Sequence, residues 1–484
     1  MHFAALGRIL GVLLILFSLS TLPPLLLALY DGHADIAYSF SLSLALTFFS
    51  GLGLWLPLRN QHAELSIRDG YLLTAMFWLV LACFAALPFH VAQVPEMSWV
   101  DSLFEAFSGL STTGATILVG LDDLPRAFLY YRQQLQWLGG MGIVVLAVAV
   151  MPMLGVGGMQ LYRSETPGPM KDDKITPRIA DTAKTLWMIY CGLTVLCAVA
   201  YGIAGMDWFD AIGHSFATVA IGGFSSYDAS LGHFNSVTIE LIAVVFMLLS
   251  SINFSLHFLA LRRGSLRGYL KDPECRFFFK IFAAVLVLTV VVLWVYDFYT
   301  APMEALRQGL FQVASTVSTT GFIITDFSHW PTFLPYLMMY AVFIGACAGS
   351  IGGGMKVMRV MIVMRQGRRE FLNLLHPNGV FSIKLGNRPV PERVIEAVWG
   401  FCAVYMLVFF VLMLVLLGCG LDAVTAFSTL ASCLNNYGPA LGEATAHYGN
   451  LPDTAKLVLS FAMILGRLEV FSLLILFTPV FWRY

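Results

Sequence analysis

The chain has 484 residues, 58% of them hydrophobic and only 12% charged, with a formal net charge of −1 and a mean hydropathy of +0.78. Soluble globular proteins are about 25% charged, so this composition excludes an ordinary water-soluble protein, while the net charge alone identifies no partner. Apolar runs of about 18 or more residues recur from end to end, each long enough to cross a bilayer. A transmembrane barrel would instead show alternating segments of about ten residues. The fold class is an all-α polytopic membrane protein.

Arg8 precedes an apolar stretch that reaches Tyr30 without a small-residue cleavage site, which reads as a retained helix rather than a signal peptide. Long spans follow the pattern 9–30, 37–58, 70–91, 134–155, 184–205, 237–261, 277–298, 334–365, 394–418 and 455–482. Shorter apolar segments lie near 99–114, 208–223, 302–321 and 422–438. Eight cysteines are scattered through apolar surroundings without ligand spacing, so they read as reduced, buried, small hydrophobes.

Basic residues fall on one side of this pattern. Segments 59–69, 156–184, 262–280 and 356–393 hold most of the lysines and arginines, whereas the opposite loops carry Arg126, Arg132 and a series of aspartates. The asymmetry places both termini in the cytoplasm. It also requires each short apolar segment to enter and leave by the outer face, as a re-entrant loop.

These segments repeat. "FSGLSTTGAT" (107–116), "FATVAIGGFS" (216–225), "ASTVSTTGFI" (314–323) and "ASCLNNYGPA" (431–440) align on Gly114, Gly223, Gly321 and Gly438. Asp101, Asp210, Glu304 and Asp422 open the four segments, where the positive end of a helix dipole favours an acid. The expected organisation is an N-terminal transmembrane hairpin (1–66) and four pore repeats, 67–160, 161–264, 265–368 and 369–484. Each repeat is a helix, a re-entrant pore loop and a second helix, pseudo-symmetric about a central pore.

Irregular backbone persists at membrane depth only where protein buries it or where it lines water. Four loops converging on an axis can offer carbonyl oxygens in place of a cation's hydration shell. Glycine permits positive φ and close approach, and the C-terminal ends of the short helices favour a cation. A single Thr-Thr-Gly would equally fit a helix-capping turn; four aligned copies, each between two spans, favour the pore.

The same four motifs, with "QWLGGMGI" (136–143) and "ILGRLEVF" (464–471), resemble the Trk/Ktr/HKT superfamily of potassium transporters, in particular its bacterial TrkH-type branch. The resemblance covers essentially the whole chain. It implies gated K+ uptake across the bacterial cytoplasmic membrane, a homodimer, and a cytoplasmic TrkA-type regulatory subunit that binds NAD(H) or another nucleotide. K+ is the one ligand implied; no organic cofactor belongs to this chain and no nucleic acid to its partners. Carried over residue by residue, the filter comprises Thr112, Thr113 and Gly114; Ile221, Gly222 and Gly223; Thr319, Thr320 and Gly321; and Asn435, Asn436, Tyr437 and Gly438. Loops two and four depart from Thr-Thr-Gly. Sodium-favouring relatives carry serine at the first-loop glycine, so Gly114 implies potassium.

Span eight contains "GACAGSIGGGMK", with Gly345, Gly349, Gly352, Gly353 and Gly354 followed by Lys356. Interior glycines each cost a helix about 1 kcal/mol, which argues against a continuous helix. A close-packing Gly-x-x-x-Gly seam is one reading; by resemblance the segment is an intramembrane gate. Arg467 lies near the centre of the last span and costs roughly 3 kcal/mol to insert there. It reads as either half of a buried ion pair or, by resemblance, a positive barrier beneath the filter. Glu469, two residues on, faces elsewhere on a helix and makes a poor partner.

A broken helix and an intramembrane charge are also transporter features, so an H+- or Na+-coupled K+ symporter is the alternative to a gated pore. Fourfold repetition and the lack of an embedded acidic chain favour the pore. An intramembrane enzyme using Ser350 finds no histidine placed as its base, and His214 reads as a packing residue.

Overall fold

The computed structural model describes residues 1–60, 66–149, 179–386 and 388–483. The basic loop expected at 156–184, and the boundary expected at 160/161, lie largely outside the described residues.

The N-terminal hairpin is α1 (Phe3–Ser18), its continuation α2 (Leu22–Tyr30) and α3 (Ala34–Leu58). The two arms touch through glycine. A Cβ on Gly11 would lie 2.8 Å from the Gly51 carbonyl, and one on Gly51 would lie 2.8 Å from the Gly11 carbonyl.

Four helix–loop–helix repeats follow. Their first helices are α4 (Ile67–Ala85), α7 (Ile179–Ile203), α11 (Pro273–Val295) and α15 (Glu392–Gly418). Their short helices are α5 (Trp99–Leu110), α8 (Trp208–Val219), α12 (Pro302–Val317) and α16 (Ala423–Leu434). Three of them have 12 residues and α12 has 16, so at about 1.5 Å per residue they reach about 18 and about 24 Å, against a hydrocarbon core of about 30 Å. These helices therefore cannot span, and the chain turns back from them, as the charge asymmetry requires. Asp422 accepts from the Val424 and Thr425 amides at the start of α16, and Ser98 from the Asp101 amide at the start of α5.

Two of the second helices break where an unbroken span is expected, and a third breaks at the glycine-rich segment, as its composition predicts. Only α6 (Arg126–Ala149) is unbroken in the described residues. The expected span 237–261 is α9 (Val237–Ser250) and α10 (Phe254–Arg263), bent by 97°. The expected span 334–365 is α13 (Leu334–Ile344) and α14 (Val357–Leu375), separated by the non-helical glycine-rich segment. The expected span 455–482 is α17 (Asp453–Arg467) and α18 (Phe471–Leu474), with a 109° bend after Arg467. Asn253 holds the first break by accepting from the Ser255 amide at 2.8 Å. At the third, Glu469 and Val470 adopt φ of 54° and 56°.

Among the described residues, six helices are long and apolar enough to cross a membrane unbroken, and the two bent pairs raise this to eight. The remaining two second helices fail for physical reasons: α6 opens with buried Arg132, Gln133, Gln134 and Gln136, and α13 has eleven residues. The chain is a multi-pass membrane protein. A two-residue β-hairpin, β1 (Lys384–Leu385) with β2 (Arg388–Pro389), is a minor addition to the helical fold.

The buried core joins the N-terminal hairpin to the first and fourth repeats, with Phe40, Phe104, Phe128 and Tyr448 within it. Of the eight cysteines, Cys197, Cys275, Cys347 and Cys433 are buried and all are free, but Cys83 is exposed. At the seam between α6 and α5, Gly139 faces the terminal carbonyl of Leu110 so closely that a Cβ would collide with it. Gly139→Val should therefore lower the melting temperature of the purified protein, with a loss of about 1–3 kcal/mol or more; a melting temperature equal to the parent's would contradict this packing.

Candidate functional site

Each short helix ends in the same backbone sequence. One residue past the C-cap, the chain enters the left-handed region at Thr112, Ile221, Thr319 and Asn436, with φ of 54°, 53°, 60° and 53°. Two residues later it does so again at Gly114, Gly223, Gly321 and Gly438, with φ between 79° and 101°. Side chains other than glycine adopt this region at about 1–3 kcal/mol each, a cost met only where the surroundings fix the conformation. Alternation in the sign of φ turns successive carbonyls toward one side of the strand instead of opposite sides.

The four loops close into a ring. A Cβ on Gly114 would strike the Gly222 carbonyl oxygen, one on Gly223 that of Thr320, and one on Gly321 that of Tyr437. The circuit is completed by Gly438, whose Cβ would lie 2.7 Å from the Thr113 oxygen. All four glycines line one open cavity. Glycine is thus required at the same position four times over, each time by the neighbouring loop's backbone.

Among the described residues, no hydrogen bond reaches the carbonyls of Thr112, Ile221, Thr319 and Asn436. Those of Gly222 and Gly438 are used internally, accepting from Gln136 Nε2 at 2.6 Å and from the Tyr448 hydroxyl at 2.6 Å. A buried carbonyl without a donor carries a desolvation cost of about 1–3 kcal/mol, and carbonyl oxygens are groups that can replace the hydration shell of a cation.

Asn435 does not share the left-handed position. It occupies the C-cap, like Ser111, Ala220 and Ser318 in the other loops, with φ −98°. Its Oδ1 accepts from the Tyr405 hydroxyl at 2.7 Å, and its Nδ2 donates to the Ala431 carbonyl. Asn436 is the residue in register with Thr112, and its Nδ2 donates to Thr113 Oγ1 and to the Met463 carbonyl. The doubled asparagine hides this one-residue offset in the sequence.

Side chains anchor the loops from behind. Ser111 and Ser318 pair with Thr113 and Thr320 at 2.7 and 2.6 Å. The Tyr437 hydroxyl meets Gln312 and Thr316, each at 3.0 Å. His214 bonds Ser225 Oγ at 2.9 Å and packs in the core, the packing role expected of it. A clamp missed by sequence reasoning joins loops one and two. Arg132 Nε donates to Glu105 at 2.7 Å, Nη1 to the Ser225 carbonyl and Nη2 to Thr116, while Glu105 also accepts from Thr116 and the Ile117 amide. Both charges are fully buried. The signal was the run Arg-Gln-Gln-Leu-Gln at 132–136, too polar for a lipid-facing span.

The glycine-rich segment lies directly under this ring. It is non-helical from Gly345 to Lys356, so it forms no Gly-x-x-x-Gly helix seam. Gly345, Gly349 and Gly354 have positive φ. Gly353 faces the Asn435 carbonyl and Gly352 the Ser318 carbonyl, each with no room for a Cβ. The Gly353 amide donates to Thr319 Oγ1 at 2.8 Å, which ties the segment to the third loop. Two cations reach its carbonyls: Arg467 Nη1 donates to Ile351 at 2.8 Å, and Lys356 Nζ to Gly352. Arg467 forms no ion pair among the described residues, and its Nε and Nη2 are buried without a partner there. Glu469 pairs instead with Arg359, at 2.6 Å.

A family model, TrkH, described as a cation transport protein, matches residues 38–484. The chain belongs to the TrkH family. It is 53% identical over 478 residues to the Trk system potassium uptake protein TrkH of Halomonas elongata, covering 98% of each chain. It is 52% identical over 484 residues to the protein of the same description from Escherichia coli K12, covering both chains completely. The crystal structure of the potassium transporter TrkH from Vibrio parahaemolyticus superposes with a TM-score of 0.92 at 50% identity, over 100% of both chains. Membership in TrkH excludes the enzyme reading, since the family is one of transporters.

In this TrkH-family chain, Glu105→Ala should cost about 3–5 kcal/mol of stability, because it leaves Arg132 charged and buried without its partner. Glu105→Leu combined with Arg132→Met should recover much of that loss in thermal unfolding; a double variant as unstable as Glu105→Ala would contradict the clamp.

Proposed function

We propose that the chain is a gated potassium uptake pathway of the bacterial cytoplasmic membrane, with both termini in the cytoplasm. The ring of Thr112–Gly114, Ile221–Gly223, Thr319–Gly321 and Asn436–Gly438, with Asn435 as its fourth-loop support, is the selectivity filter for K+. The observation that carries this reading is the closed circuit of four left-handed glycines, each against the next loop's carbonyl. Gly114, rather than serine, favours potassium over sodium. The repeats 67–160, 161–264, 265–368 and 369–484 each supply one loop to it, and 1–66 packs outside.

Gly345, Gly349, Gly352, Gly353 and Gly354, with Lys356 and Arg467, form the gate below. Two cationic side chains and a segment packed against loops three and four obstruct a cation leaving the filter. The gate is controlled by a cytoplasmic TrkA-type subunit that binds NAD(H) or another nucleotide, and the transporter works as a homodimer. The relatives' description as parts of a Trk system supports a partner subunit.

Gly114→Ser and Gly321→Ser should weaken the preference of K+ over Na+ as competitors of rubidium uptake into liposomes, because the added atoms push neighbouring carbonyls aside. Unchanged selectivity in both variants would overturn the filter assignment. Arg467→Ala, and separately a deletion within 349–354, should raise basal rubidium flux. Wild-type flux in both would overturn the gate. Uptake that follows an imposed H+ or Na+ gradient, rather than the K+ gradient, would favour coupled symport.

A further inference from the structure

The glycine-rich segment has two halves held in chemically different ways. Its later half, Ile351–Gly353, is held by side chains: Arg467 and Lys356 donate to carbonyls, and Thr319 accepts from an amide. Its earlier half, Cys347–Gly349, is fixed mostly through backbone. The Cys347 amide donates to the Ser251 carbonyl at 3.0 Å, and the Phe254 amide donates to the Gly349 carbonyl at 3.1 Å. Both partners sit at the break between α9 and α10, so repeat two supports the segment of repeat three.

One bond in the earlier half differs. The Ala348 amide donates to Glu274 Oε1 at 2.6 Å, and both groups are buried. Glu274 is the second residue of α11, whose start is fixed by Asp272 accepting from the Cys275 amide at 2.8 Å. A buried carboxylate bonded to an amide is among the stronger hydrogen bonds in a protein, and its loss leaves a buried amide without an acceptor. The glutamate lies just after the basic stretch 262–271, which the charge asymmetry places on the cytoplasmic side.

We infer that Glu274 is the positioning residue of the gate: its carboxylate pins Ala348, so that Cys347–Gly349 stays fixed while Ile351–Gly353 moves. This rests on the gate reading above. A segment fixed at one end can release Arg467, Lys356 and Thr319 and return to the same closed position. Unpinned at Ala348, it loses that registration, and the later half no longer seats under loops three and four. Glu274 also links the stretch before α11 to the gate through its side chain.

The test is basal rubidium flux into liposomes holding the full chain, together with K+/Na+ competition and thermal unfolding. Glu274→Ala should raise basal flux about tenfold, the change expected from losing one charge-assisted hydrogen bond, with K+ over Na+ preference unchanged. Glu274→Gln keeps an acceptor oxygen and should restore flux to near the parent's. If Glu274→Ala does not fold, Glu274→Asp, one methylene too short to reach Ala348, serves in its place and should leak likewise. Parent-level flux in folded Glu274→Ala or Glu274→Asp would overturn the inference, as would a Glu274→Gln variant as leaky as the alanine. Arg467→Ala is run alongside. If it leaks while Glu274→Ala does not, the positioning role fails alone; if neither leaks, the gate reading fails with it.

Discussion

Backbone contact between four loops is the constraint on which the rest of this structure depends. At Gly114, Gly223, Gly321 and Gly438 the Cα of one loop lies against a carbonyl of the next, leaving no space for a methyl group. Three of the four residues that open these loops, Thr112, Ile221 and Thr319, are β-branched and yet left-handed, a conformation such residues almost never adopt unaided. The surrounding protein must therefore hold the loops against their own preference. The buried C-terminal halves of the short helices, the Ser–Thr pairs, the Tyr437 and Tyr448 hydroxyls and the Arg132–Glu105 clamp are the means. The loops are alike in backbone but unlike in their anchors, which is why the motifs share a glycine pattern and little else.

Strain and unmet hydrogen bonds at the ring have a common outlet. Among the described residues, carbonyls at the first loop position lack donors in all four copies, while the polar side chains of the second position turn back into the protein where they are bonded. On the proposed filter reading, a cation coordinated there offsets that deficit. Below the ring the chain again leaves regular structure, in three of the four second helices within the described residues, and there the groups that meet are cationic side chains and glycine carbonyls. The proposed filter above and the proposed gate below thus use the same backbone group, differently partnered.

Much of this was legible in the sequence because glycine and the short apolar segments leave an unambiguous signature. The fourfold alignment, the re-entrant course and the non-helical stretch 345–356 all follow from composition at particular positions. Breaks at 251–253 and 468–470 did not, because Ile252, Leu468 and Val470 keep the hydropathy high through the bend. The Asn435–Asn436 offset was hidden by two identical residues of which only one is left-handed. Arg132 seemed an outer-loop charge because it stands near a span's end, yet tertiary folding buries it against Glu105, 27 positions away. Arg467 and Glu469 were correctly kept apart, though the cause is a helix end at Arg467 and the pull of Arg359, rather than helical spacing.

The central claim is that the four loops bind one line of potassium-like ions between them. Anomalous scattering from rubidium in crystals of the protein tests it most directly. The account predicts rubidium density bounded by the carbonyls of Thr112, Ile221, Thr319 and Asn436, lost when the crystals are exchanged into sodium. Rubidium density confined to other sites, with none inside the ring, would contradict it.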